Sequence, residues 1–301
     1  MNLSKEELEK IEKEFAKQFE RNPEKMIAQY REMFGNYICN DNALELCSAY
    51  KKDTPPEQKR MIAGSSSIRQ TAGGIVYGTF DQMLKESPPA GTENIVTFVA
   101  GGAGSGKTHF ITEHPVIKEI INQTSHIAFE VIRSFEEANI ERALNAGKDA
   151  LMLFVYRPIE AAAVGALERA VDQGRIPTFD YLCNGYMHSF KEMKLLTQMY
   201  QNNDSAISVI GDNTKKEDPR ILEPNTRQTL EFLQNNAYKN GEEVRNRAFH
   251  AVQKFIKERE RMGKPIDKGL ERYYIGNEQE ARKGKAQQLL QEREDEREKN
   301  R

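Results

Sequence analysis

The stretch Ile95-Val96-Thr97-Phe98-Val99-Ala100-Gly101-Gly102-Ala103-Gly104-Ser105-Gly106-Lys107-Thr108-His109-Phe110-Ile111 decides how the rest of the chain is read. Ile95 to Ala100 is an apolar run that fits a buried strand. A glycine-rich turn follows, then Lys107 and Thr108 and a segment able to start a helix. This is the full G-x-x-x-x-G-K-[ST] pattern between a strand and a helix, the context in which it forms a phosphate-binding loop. Glycines without Cβ let backbone N–H groups close around a phosphate, and a helix start adds partial positive charge. The expectation is a nucleoside-triphosphate site built from Gly101, Gly102, Ala103, Gly104, Ser105, Gly106, Lys107 and Thr108. Lys107 would reach the β- and γ-phosphates of ATP, and Thr108 would hold Mg²⁺.

Outward from this stretch, the pattern alternates between strands and helices. His126 to Glu130 is a strand candidate, and Ser134 with Glu137 forms a capping box for a helix from Phe135 to Ala146. Ala150 to Tyr156 is fully apolar, as a strand buried in a parallel sheet is. An Ala-rich helix, Glu160 to Val171, a helix from Phe179 to Tyr200 and a strand from Ala206 to Ile210 follow. The predicted fold is α/β: a P-loop NTPase, kinase-like parallel sheet flanked by helices, with helical N- and C-terminal extensions. The predicted divisions are 1–90, an extension packing on the core, 91–220, the core, and 221–301, a helical charged extension. In the first, Leu8, Ile11, Phe15 and Phe19 recur at helical spacing up to a break at Asn22-Pro23. Tyr37 to Lys52 reads as a short capped helix, and Met61 to Leu84 as a helix whose small residues allow close packing. Ile221 to Arg261 reads as helical, and 279–301 as a solvated, charged helix.

The 301 residues are 38% hydrophobic and 30% charged with a formal net charge of −2, which gives no global basic field for nucleic acid. No apolar run approaches the ~20 residues that cross a bilayer. Cys39, Cys47 and Cys183 have neither metal spacing nor a disulfide framework, and the five histidines show no metal spacing. The expectation is a cytoplasmic protein with no membrane or nucleic-acid partner.

Several pieces between Asn94 and Asn213, about two-fifths of the chain, resemble the zeta-toxin family of P-loop kinases. They are the phosphate loop, the segments 127–134 and 140–147, Val155-Tyr156-Arg157-Pro158-Ile159-Glu160, and 167–177 with its Gly174-Arg175-Ile176-Pro177. The resemblance implies ATP- and Mg²⁺-dependent transfer of a phosphoryl group to a small-molecule hydroxyl acceptor, UDP-N-acetylglucosamine in the best-known members, and a small antitoxin partner. Arg169 and Arg175 match paired lid arginines, and Glu130 matches a strand-end carboxylate that contacts substrate or metal. The family also carries an Asp-x-Asp pair on a strand soon after the loop, whereas between Thr108 and Lys148 this chain has no aspartate. Glu130, Glu113, Glu119 or a residue of the N-terminal segment remain the candidates for the base. A nucleotide-binding module without transfer activity is the alternative function.

Overall fold

The structure, a computed structural model, describes residues 3–130, 137–173, 177–215, 217–222 and 226–282. The apolar run before the glycines forms β2 (Ile95–Ala100), in the interior of a six-stranded sheet. It lies between β3 (Ser125–Glu130) and β4 (Asp149–Tyr156), with β5 (Ala206–Asp212) beyond β4. Two-residue strands close the edges, β1 (Tyr37–Ile38) beside β3 and β6 (Arg220–Ile221) beside β5. Every pairing is parallel except β5 with β6. The fold is therefore the expected P-loop kinase-like sheet flanked by helices.

The period-2 alternation of side chains divides the core. Phe98, Phe129, Met152 and Phe154 face a large apolar cluster with α5 (Ser66–Leu84), α8 (Ile159–Gln173), α9 (Phe179–Met199) and α11 (Gly241–Arg261). Val99, Ala128, Leu153, Val155 and Val209 face the other way. They are covered by Phe110 and Ile111 of a π-helical turn, His109–Glu113, and by Ile117 and Ile121 of α6 (Pro115–Thr124). The segment after the loop is thus one short turn plus one helix, and no strand follows before β3.

The N-terminal apolar stripes pack inside the molecule. A Ser4–Glu7 capping box starts α1 (Lys5–Arg21), and Asn22-Pro23 separates it from α2 (Pro23–Phe34). Both lie on α5 through glycine notches. A Cβ on Gly74 would stand 2.7 Å from Phe19 Cε1, and one on Gly78 2.6 Å from Ile27 Cδ1. A break at Ser65 separates α5 from α4 (Pro56–Gly64) where one helix was expected from Met61.

Two further expectations are corrected. Tyr37 to Lys52 is not simply a capped helix: it opens with β1, and only then comes the short α3 (Asn40–Leu44). β1 pairs Tyr37 with Ala128 and Ile38 with Phe129. The Tyr30 hydroxyl accepts from the Cys39 N–H at 2.8 Å and so pins the strand end. Ile221 to Arg261 is not one helix either. Ile221 ends β6, α10 spans Thr226–Asn235, and Asn240 starts α11 by accepting from the Glu243 N–H. The Asn and Gly residues between them favour a turn over a helix interior. The Ser134 cap and the predicted tail helix beyond 282 lie outside the described residues.

At the opposite end of the sheet from the glycine loop, buried Lys148 links the strand starts. Its Nζ donates to Glu86 O at 2.8 Å, Asn94 Oδ1 at 2.9 Å and His126 Nδ1 at 3.0 Å. Arg31 holds the Glu86 carboxylate through two 2.7 Å bonds.

Candidate functional site

β2 delivers the chain into the loop at the carboxyl end of the sheet, where parallel sheets bind ligands. Gly101 and Gly104 have φ of 145° and 79°. A Cβ on Gly101 would stand 2.4 Å from Val155 O, and one on Gly104 2.3 Å from Ala162 O. Only glycine fits both the conformation and the space. The other walls are side chains. The Tyr186 ring lies against Gly102, where a Cβ would come within 2.4 Å of Cδ2. Asn213 donates from Nδ2 to Ser105 O at 2.7 Å, and its N–H reaches Tyr156 O at 2.8 Å. Asn213 is therefore a buttress of the loop, a role its position after β5 did not disclose.

Lys107 folds back over the loop. Its Nζ is 3.1 Å from Gly101 O and 3.7 Å from Glu130 Oε1. Glu130 ends β3 in register with Val99 of β2, which brings it beside the loop. Its other oxygen, Oε2, takes a long 3.4 Å bond from Thr108 Oγ1 and a short one from the Tyr37 hydroxyl. Burial, then the Glu130 charge, hold the Tyr37 phenol well above its usual pKa, so it stays a donor. Sequence reading missed Tyr37 because a strand of two residues has no periodicity to detect.

The residues fit a triphosphate and a hard cation. Ser105 Oγ, Asn213 Oδ1, Arg157 Nε and Arg169 Nε are buried without a hydrogen-bond partner. All four belong to the loop or to elements touching it, and orphaned buried polar atoms in a native fold call for a ligand or water. Thr108 Oγ1 and the Glu130 carboxylate present neighbouring oxygens, the donor type that Mg²⁺ selects. Among the described residues, no group of three His, Cys, Asp or Glu forms a separate metal centre, and the three cysteines are buried and free.

Two helices rise beside the loop. α8 touches it at Ala162, and Arg169 lies seven residues on, about 10 Å along the axis. α9 touches it at Tyr186, seven residues after its start at Phe179. Arg175, expected as the second lid arginine, lies outside the described residues. The other carboxylates considered for the base are elsewhere: Glu113 pairs with His109 at 2.8 Å, and Glu119 accepts from Gln123, both on the surface. His188 is exposed, 3.9 Å from Glu192.

No family model matches the chain, and no curated protein does. Solved structures do resemble it. The native complex of AvrRxo1-ORF1 with AvrRxo1-ORF2 aligns with 59% of this chain and 79% of that one, at 12% identity and a TM-score of 0.38. The same complex with ATP covers 59% and 80%, again at 12% identity and 0.38. The PezAT chromosomal toxin–antitoxin system of the human pathogen Streptococcus pneumoniae covers 60% and 95%, at 12% identity and 0.36. These are likenesses at low identity, and the functional reading rests on the site. Among the described residues no helix is long and apolar enough to cross a membrane.

Proposed function

We propose that the chain is an ATP-dependent phosphotransferase acting on the hydroxyl of a small molecule. The observation that carries this reading is the Lys107–Glu130–Thr108 arrangement beside a loop whose Gly101 and Gly104 pack too closely on Val155 and Ala162 for any side chain. In the reaction the acceptor oxygen forms a bond to the γ-phosphorus. The bond to the β–γ bridging oxygen breaks, and ADP leaves with the electron pair. Lys107 neutralises phosphate oxygens, and the loop N–H groups hold them still. Bound Mg²⁺ would supply charge neutralisation at the β- and γ-oxygens, with Thr108 and Glu130 as its protein ligands. Arg169, on the helix beside the loop, would approach the transferring group, and the family resemblance assigns the same role to Arg175.

The acceptor proton needs a carboxylate. Both Glu130 oxygens are engaged, by Lys107 on one side and by Thr108 and Tyr37 on the other. Glu130 therefore suits metal binding better than proton abstraction. The N-terminal segment offers Asp41, exposed and just past the carboxyl end of β1, one strand further out. Asp41 and Glu130 are then the two candidate bases, which Asp41→Asn and Glu130→Gln tell apart. Buried Cys39 is close enough to both carboxylates for their charges to raise its pKa, after burial itself.

The test is transfer from γ-labelled ATP to a panel of hydroxyl acceptors that includes UDP-N-acetylglucosamine. Labelled product supports the reading, and the acceptor class follows from it. ATP binding without transfer to any acceptor or to water would leave the nucleotide-binding module in its place. The sequence resemblance extends the proposal to a small antitoxin, tested by whether expression arrests growth and a co-expressed neighbouring reading frame relieves it.

A further inference from the structure

Arg157 has so far entered only through its orphaned Nε, with no role in the transfer itself, yet its surroundings are those of a ligand-binding group. It follows β4 directly, at the sheet end that carries the glycine loop. Its carbonyl accepts a short hydrogen bond from the Tyr186 hydroxyl, and the Tyr186 ring rests on Gly102. One tyrosine thus fixes both the loop and the backbone from which Arg157 departs. The guanidinium lies on α8 at Gly165, where a Cβ would stand 2.7 Å from Nη1. Gly165 is three residues past Ala162, whose carbonyl meets Gly104 of the loop, and four residues before Arg169. Positions three and four apart share a helix face. One face of α8 therefore carries, turn by turn, the loop contact, the Arg157 guanidinium and Arg169. A turn rises 5.4 Å, so Arg157 stands roughly one turn from the loop.

Nε of Arg157 is buried without a partner, as is Nε of Arg169. Burial pushes the Arg157 guanidinium below its usual pKa, and the charges of Glu168 and Glu217 do not offset it. A half-buried guanidinium whose Nε is cut off from water without an acceptor is costly to a fold unless an anion completes it. The anion at hand is the one the loop is built to cradle.

We infer that Arg157 is a phosphate-binding arm that engages the terminal phosphoryl group of the bound triphosphate, beside Arg169. The inference rests on the nucleotide reading of the loop. Gly165 is then the residue that leaves room for the arm, and its lack of a side chain has a functional cause.

The experiment measures binding of ATP, ADP, inorganic tripolyphosphate and pyrophosphate, each with Mg²⁺, by titration calorimetry on the full chain. Arg157→Met keeps the stem and removes the charge. ATP affinity should fall about 10- to 100-fold, the range for hydrogen bonds to a charged group, while ADP affinity falls much less. Arg157→Lys should recover part of the loss, since it restores charge without the planar fork. Gly165→Ala adds one methyl group that displaces the guanidinium and improves local helix propensity. It should reproduce the fall in the ATP-to-ADP ratio without lowering the melting temperature. Equal losses for ATP and ADP, or an unchanged ratio in both variants, overturn the inference and leave Arg157 a structural residue. If the wild-type chain binds tripolyphosphate in an Arg157-dependent way but not ATP, the arm stands and the nucleotide reading falls. If it binds none of the four, both fall.

Discussion

The Tyr37 hydroxyl donates to Glu130 Oε2 across 93 positions of sequence, and Thr108 Oγ1 reaches the same oxygen. The carboxylate beside the phosphate loop is thus oriented by a residue of the N-terminal segment. Tyr37→Phe removes the donor and keeps the ring. Hydrogen bonds to charged groups are worth about 1.5–3 kcal/mol, so urea unfolding should show a loss of about that size or less. The Mg²⁺ concentration for half-maximal nucleotide binding should rise several-fold as Glu130 loses its orientation. An unchanged Mg²⁺ requirement would remove Tyr37 from the site.

Lys107→Ala takes away the cation that lies between the loop carbonyl of Gly101 and Glu130. Calorimetry should show ATP affinity reduced at least 10-fold, because the loop N–H groups alone do not balance a triphosphate. Unaltered affinity with intact turnover would place the active site elsewhere.

Asp41→Asn and Glu130→Gln separate base from metal ligand. Asp41→Asn should leave ATP binding intact and lower transfer by about 10²- to 10⁴-fold, the usual factor for general-base catalysis. Glu130→Gln should chiefly raise the Mg²⁺ requirement, with transfer partly restored at high Mg²⁺. The reverse pattern, full transfer in Asp41→Asn and a Mg²⁺-independent loss in Glu130→Gln, would make Glu130 the base.

The Lys148 cluster predicts how stability varies with pH. Lys148 has only donors, so His126 must present a bare Nδ1 to it. Burial first, then the Lys148 charge, lower the His126 pKa from its ordinary 6.5. The unfolded chain therefore takes up a proton near pH 6.5 that the folded chain resists. The His126 contribution is fully present above pH 6.5 and is lost as pH falls from there toward the lowered folded value. Thermal melts should drop between pH 7.5 and 5.5, and His126→Gln should flatten that slope. Equal slopes in both proteins would reject the assignment.

The centre of the fold was legible because its signals are local. The run Ile95–Ala100, the glycines and Lys107-Thr108 are contiguous, and the apolar strands Ala150–Tyr156 and Ala206–Ile210 appear in the sheet, each slightly extended. Glu130 was visible as a strand-end carboxylate. The rest of the site was not, because its signals are long-range. β1 is two residues long, and only pairing with β3 makes it a strand. Asn213 resembles any turn residue until its amide is seen on Ser105 O. Arg157 reads as the end of a strand before a proline, and only the space above Gly165 shows where its guanidinium goes.

The position of β1 also sets a timetable. Tyr37 and Ile38 leave the ribosome well before Ala128 and Phe129, the residues they pair with. At ~5–20 residues per second, a gap of about 90 residues lasts roughly 5–20 s. During that interval α1, α2 and α5 can collapse on one another, but the edge strand has no neighbour. Joining distant segments costs loop-closure entropy before any contact rewards it. The nascent chain therefore has no complete phosphate site until β3 has emerged, and Asn213 must follow before the loop is buttressed. A complete, buttressed loop therefore arrives late in synthesis, after most of the chain has been made.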